Sequence, residues 1–336
     1  MAEARNLRLD GIRLLLIVLV VVGHCIEPTR YSNSVSGCLY SVIYSFHMPL
    51  FGFLSGYFAK VRNFTEWKDK GLMFLETFLV IMIPQFLFFR SWHVFLNPEN
   101  SGWYLMSLIW WYGILLLLRK VEQIISVRGG VILTFLISML VFMIPLGVYG
   151  RLLSFNRTMQ MFPFFYIGHL CRTKDIKLPF HLSRNQRLCL VSLACVIIAF
   201  LIAISSRTLH VLEFYNVDVW EISHNNGRPV GALIGLRSLL LIGACVLSVV
   251  IMDGLRISER MSRLGNATLL VYVVQGILAH ILPSVLPKNT YLELGVAFVI
   301  VGMSICLIKN IDWHYITNPV STVIKNIKTD NNEVIK

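Results

Sequence analysis

Apolar residues in this chain gather into long runs divided by short polar stretches. A helix needs roughly 17–25 such residues to cross a bilayer. Ten candidate spans fall at about 9–26, 38–59, 71–90, 102–118, 129–148, 158–171, 188–206, 230–252, 266–286 and 291–308. The first has a polar start, the sixth is short and the ninth carries polar residues. No strand periodicity, internal repeat or low-complexity linker competes with them. The pattern predicts an all-α, polytopic integral membrane protein, a bundle of about ten transmembrane helices. Residues 1–312 form its transmembrane domain, and 313–336 form a cytoplasmic C-terminal tail.

Composition sharpens that reading. Apolar residues make up 56% of the 336 and charged residues 14%, against about 25% charged in soluble domains. An ordinary soluble domain and a disordered chain are both excluded. The net charge of +12 resembles a nucleic-acid signal until the cations are placed. Of the 30 Lys and Arg, 22 fall in one set of alternate loops, 7 in the other, and Arg237 lies inside a span. The positive-inside rule puts both termini in the cytoplasm. An odd number of spans would mix the two sets. The excess charge then serves topology and contact with anionic lipid, with no nucleic-acid partner.

The basic start of the first span resembles a signal peptide but lacks a small-residue cleavage site. Val22-Gly23-His24-Cys25 resembles a lipoprotein signal, which His24 spoils, so the span is expected to be retained. The seven cysteines form no C-x-x-C pair, which leaves zinc and redox motifs out. Cys25 and Cys38 fall near the outer face, where pairing is conceivable.

Ionisable residues inside spans are costly and point to function. Arg13 and His24 are eleven residues apart, so they fall about 20° apart around a helix and roughly 16 Å apart along it. Asp10 lies within about 60° of both. One face thus carries an acid, a cytoplasmic-side cation and a deep imidazole. The plainer alternative is an interfacial Asp10–Arg13 pair and a packing histidine. In the second span His47 precedes Pro49, whose missing N–H frees a carbonyl that must face protein or a wet cavity. Gly52, Ser55 and Gly56 permit close helix contact. Arg13, His24 and His47 are expected to line one cavity.

Weaker signals are Glu76, expected to meet a loop cation, and Arg237, with no acid nearby in sequence. Gln275 and His280 lie in the ninth span, and His169 ends the sixth. Trp103, Tyr104, Trp110, Trp111 and Tyr112 read as interfacial or packing aromatics. The loop 207–229 holds His210, Glu213, Asp218, Glu221, His224 and Arg228 without compact metal-ligand spacing, so no metal is expected. No P-loop, G-x-G-x-x-G or G-x-S-x-G occurs.

Several segments resemble the membrane acyltransferase-3 family. Arg8-Leu9-Asp10-Gly11-Ile12-Arg13 leads through an apolar run to Gly23-His24, matching that family's Arg, ten residues, His signature. Phe46-His47-Met48-Pro49-Leu50-Phe51 through Leu54-Ser55-Gly56-Tyr57 is similar to its second-span motif. Met161-Phe162-Pro163-Phe164-Phe165-Tyr166-Ile167-Gly168 resembles its Phe-Phe-Pro-Phe-Phe-x-x-Gly segment, and Leu264-Gly265-Asn266-Ala267-Thr268-Leu269-Leu270-Val271-Tyr272 its Gly-x-x-Thr-Leu-x-x-Tyr stretch. The nearest subgroup is the compact sugar O-acetylases, such as fucose 4-O-acetylase-like proteins. Two features depart. Gln275 stands where the family commonly has a histidine, and the basic stretch opening span three is reduced to Lys68-Asp69-Lys70.

The resemblance implies transfer of an acetyl group from cytosolic acetyl-CoA, a consumed donor, to a sugar hydroxyl of a cell-envelope polysaccharide or lipid-linked precursor at the bacterial inner membrane. A hydroxyl attacking a thioester needs a base, and histidine titrates near neutrality. His24 is the expected base or a transient acyl carrier. Arg13 orients the site with Asp10 or binds donor phosphate together with Lys68 and Lys70. His47 polarises the thioester carbonyl or shapes the pocket. The rival reading is a non-enzymatic glycolipid carrier or flippase, which predicts related halves.

Overall fold

In the computed structural model the described residues are 7–98, 101–121, 124–204, 213–256, 258–264 and 268–310. Arg5, Arg207, His210, the Gly265–Ala267 part of the last motif and the tail 313–336 lie outside them. The described residues form helices α1 (Leu7–Ile26), α2 (Ser34–Phe58), α3 (Phe64–Phe89), α4 (His93–Leu96), α5 (Trp103–Val121), α6 (Val127–Met143), α7 (Val148–Arg151), α8 (Phe155–Thr173), α9 (Arg184–Ile204), α10 (Glu213–Asn216), α11 (Val219–Asn226), α12 (Val230–Gly254), α13 (Glu259–Leu264), α14 (Thr268–Val285) and α15 (Thr290–Asn310). Five of these regions, Leu7–Thr29, α2, α3, Arg184–Ala203 and α12, are long and apolar enough to cross a membrane. Trp103–Arg119, Val127–Met143, Thr268–Leu282 and Thr290–Cys306 are shorter apolar helices.

Several helices begin earlier than their apolar runs, because polar caps open them. Asn33 accepts the N–H groups of Val35 and Ser36 at the start of α2, and Asn63 accepts that of Glu66 in α3. Before α9, the Ser183 hydroxyl accepts the Gln186 N–H and the Gln186 side chain accepts the Ser183 N–H, a capping box. The sixth candidate span folds as α8, which is longer than its apolar run. Asn156, Arg157, Thr158 and Gln160 at its start are buried inside the bundle. α6 stops at Met143 because Ile144 precedes Pro145, which disfavours helical geometry.

The central pairing is α2 against α8. A Cβ at Gly56 would collide with the Phe165 carbonyl, and one at Gly168 with the Phe53 carbonyl. Two of the sequence motifs therefore make one tight crossing, the device by which small residues let helix backbones approach. Around this pair, α1 packs on α2, α13, α14 and α15, while α3 packs on α5 and α14. Trp111 of α5 is fully buried and donates to Thr158 O of α8 at 2.8 Å.

Several cations lie at one end. There Arg8 opens α1, Arg119 of α5 donates to the Val61 and Arg62 carbonyls, Arg172 lies over Tyr57, and Arg187 bonds Asp253. At the opposite end, Thr29, Ser36, Thr290 and Glu293 form a buried hydroxyl–carboxyl cluster tying the turn after α1 to α2 and α15.

Candidate active site

His24 sits one turn from the end of α1, where the chain passes directly into the turn Glu27–Thr29. That places an acid at i+3, and His24 Nδ1 lies 3.5 Å from Glu27 Oε2. Glu27 also binds Arg30 at 3.0 Å. The His280 ring of α14 meets the His24 ring edge-on at a centroid distance of 4.8 Å, and His280 Nε2 is 2.6 Å from Ser101 Oγ. His47 is buried in α2, its ring against Tyr44 at 4.7 Å. Its Nδ1 lies 2.7 Å from the Ile43 carbonyl. A carbonyl only accepts, so Nδ1 carries the proton and Nε2 offers a lone pair in the neutral ring.

His24 and His47 share a cavity of about 140 Å³, together with Glu27, Arg30, Tyr44, Trp103, Arg157, Tyr215 and Asn216. Arg157 donates to Asn216 at 2.7 Å and lies over the Trp103 ring. Arg13 does not join them. It lines a second cavity of about 240 Å³ with Ser55, Phe58, Tyr104, Tyr112 and Tyr272. A third void of about 20 Å³ lies between them. It shares His24, Met48 and Trp103 with the first cavity, and Phe51, Tyr104 and Tyr272 with the second. His24 therefore stands at the junction. The expected common cavity is two chambers and a neck, because the helix advances between residues 13 and 24 while Phe51 and Tyr104 close the gap. Tyr104 is held there by Ser55 at 2.6 Å.

Asp10 is buried and pairs with Arg13 at 3.7 Å. Lys70 reaches the Tyr112 ring of the Arg13 chamber, at 5.8 Å, whereas Lys68 is exposed and lines neither chamber. Arg237 is wholly buried and carries its charge on neutral acceptors: Gln160 Oε1 at 2.8 Å, Ser138 Oγ at 2.9 Å and the Phe214 carbonyl. The Phe142 and Tyr215 rings flank it. Glu76 is buried and neither of its oxygens has a hydrogen-bond partner among the described residues, and the same holds for the Gln275 amide. Among the described residues no loop cation pairs with Glu76. His169 is buried in α8. Cys25 and Cys38 are both free thiols, so the conceivable pairing is not made.

Sequence reasoning missed three contributors. Glu27 falls just past the first apolar run, although an acid three residues after a helical histidine is a visible signal. Tyr215 and Asn216 lie in the loop 207–229, whose described part folds as α10 and α11, and both line the first chamber. The loop's acids hold that cover in place. Asp218 caps α11 and accepts the Gly147 N–H at 3.1 Å, and Glu221 pairs with Arg151. Trp103, Tyr104 and Tyr112, expected as packing aromatics, line the chambers.

A family model described as an acyltransferase domain matches residues 6–310. The chain belongs to the acyltransferase-3 family. Over 61 residues it is 41% identical to nodulation protein NolL of Sinorhizobium fredii (strain NBRC 101917 / NGR234), a match covering 17% of this chain and 17% of that protein. No solved structure matches.

Proposed function

We propose that this protein is an O-acetyltransferase of the sugar O-acetylase type, moving an acetyl group from cytosolic acetyl-CoA to a sugar hydroxyl of an envelope polysaccharide or its lipid-linked precursor. It spans the bacterial cytoplasmic membrane ten times with both termini inside. The cationic end of the bundle agrees with that orientation. The observation carrying the reading is the neck that joins the Arg13 chamber to the His24 chamber.

A thioester donor has a bulky anionic head and a thin flexible arm. Arg13 and Lys70 meet phosphate at the inner chamber, with Asp10 holding Arg13. The arm lies along Tyr104 and Tyr272 toward the neck. A void of about 20 Å³ holds little more than one water, so Met48 and Phe51 must swing for the acyl group to reach His24. The sugar enters the outer chamber, where Trp103, Tyr44 and Asn216 offer a stacking face and hydrogen bonds.

His24 takes the hydroxyl proton as the sugar oxygen attacks the thioester carbon. Glu27 stabilises the imidazolium that forms. The tetrahedral intermediate collapses with cleavage of the C–S bond, and the proton passes from His24 to the departing thiolate. His47 presents a lone pair in its neutral form, so it accepts a hydrogen bond from the sugar and shapes the pocket. Polarising the thioester carbonyl would require a protonated ring.

The test is purified protein in proteoliposomes with isotopically labelled acetyl-CoA, followed by glycan mass spectrometry. The expected product carries one labelled acetyl mass increment on a sugar hydroxyl. Label remaining wholly in the thioester, with glycan unmodified across envelope precursors, overturns the reading.

A further inference from the structure

Three guanidinium groups meet at the cationic end of α12, away from both chambers. Asp253 is buried there. Its Oδ1 accepts the Leu182 N–H at 3.0 Å and its Oδ2 accepts Arg187 Nε at 2.7 Å. Arg8 Nη2 and Arg256 Nη1 bond the Asp253 backbone carbonyl instead, at 2.5 and 3.2 Å. One carboxylate thus faces three guanidinium groups and bonds only one of them directly, while the other two are held on a neutral carbonyl at a helix C-terminus. The helix dipole offsets only part of that. The Phe180 ring lies 4.2 Å from the Arg8 guanidinium, fixing its plane. Arg256 is exposed, and half of the Arg187 side chain is.

The face beside this cluster is apolar and outward. α9 begins at Arg184, and Leu188, Val196 and Phe200 along it are 66%, 65% and 41% exposed. In a membrane that surface meets acyl chains, and the cluster lies at headgroup depth at its end. The inner chamber takes no residue from α9 or α12, so this is not the donor site.

We propose that Arg8, Arg187 and Arg256 form a binding site for the phosphate of an anionic glycerophospholipid of the cytoplasmic leaflet, its chains lying along α9. Guanidinium groups suit a phosphodiester because they donate in parallel pairs. Basic pockets between helices on the cytoplasmic side bind such headgroups. The proposal rests on the bundle spanning the membrane with this end inside, and not on acetyl transfer.

Native mass spectrometry of the full chain released from nanodiscs of equimolar phosphatidylcholine and phosphatidylglycerol tests it. The wild-type protein should retain phosphatidylglycerol in excess. Arg256→Gln should cut that excess about fivefold, near 1 kcal/mol per cation, and Arg8→Gln with Arg256→Gln should abolish it. Arg184→Gln, an exposed arginine outside the cluster, should change nothing. Arg256→Gln leaves the Arg187–Asp253 pair intact and is read alone if the double variant does not fold. Equal retention of both lipids by wild type, or an unchanged excess in Arg256→Gln, overturns the site. Displacement of the lipid by soluble coenzyme A at constant ionic strength assigns it to a free phosphate ester and overturns the lipid.

Discussion

At the scale of single residues, the chemistry depends on which groups surround His24. A carboxylate three residues on, in the turn that follows α1, lies 3.5 Å from the imidazole and orients it. General-base help is worth about 10²–10⁴-fold in rate. His24→Ala should therefore lower acetyl transfer by about that factor at equal membrane expression, measured as acetyl groups counted on the glycan. Because His24 borders a polar cavity and removes little apolar surface, the variant should melt near the wild-type temperature. Full activity would shift the base to His47. Glu27→Gln keeps the shape and removes the charge, so it should reduce kcat more than either KM. Arg13→Ala acts at the other chamber and should raise the KM for acetyl-CoA with a smaller change in kcat. Equal effects of Arg13→Ala and Glu27→Gln on donor KM would contradict the division into two chambers.

At the scale of elements, two features carry the site. The first is the α2–α8 crossing, where Gly56 and Gly168 face the Phe165 and Phe53 carbonyls. No flexible side chain can yield there, so Gly168→Ala should separate the helices at a cost of about 1–3 kcal/mol. The expected readout is a lower thermal midpoint in detergent; an unchanged midpoint would argue against so close an approach. The second is Arg237, which ties α12 to α6, α8 and α10 through Ser138, Gln160 and Phe214. Arg237→Met should leave those acceptors unpaired, costing about 1–3 kcal/mol for each buried group. It should also loosen α10, which carries Tyr215 and Asn216, and so raise the KM for acceptor above that for donor. Arg237→Lys should restore part of both effects.

At the scale of the whole molecule, the segregation of cations is the long-range feature. Reporter fusions at the C-terminus and within residues 207–229 should report opposite sides of the membrane. The same side for both would remove the ten-span topology, and with it the assignment of the Arg13 chamber to the cytoplasm. The two chambers then predict vectorial use of substrates: in sealed proteoliposomes, donor should be consumed only from the side bearing the cationic loops.

How much was legible in the chain depends on whether a signal is local. Apolar runs located the long helices, because each span's burial in lipid is a property of its own residues. Helix starts were misplaced by several residues at α2, α3 and α9, where caps such as Asn33, Asn63 and the Ser183–Gln186 box supply polar first turns that hydropathy counts as loop. The shared face of Asp10, Arg13 and His24 followed from helical spacing alone. What the tertiary structure decided were relations between distant segments. These are the meeting of His280 with His24, the cover made by Tyr215 and Asn216, the neutral acceptors that hold Arg237, and the closure of the neck by Phe51 and Tyr104. Each depends on side chains from different helices arriving at one place, which is set by how the bundle packs and leaves no periodic mark on any one segment.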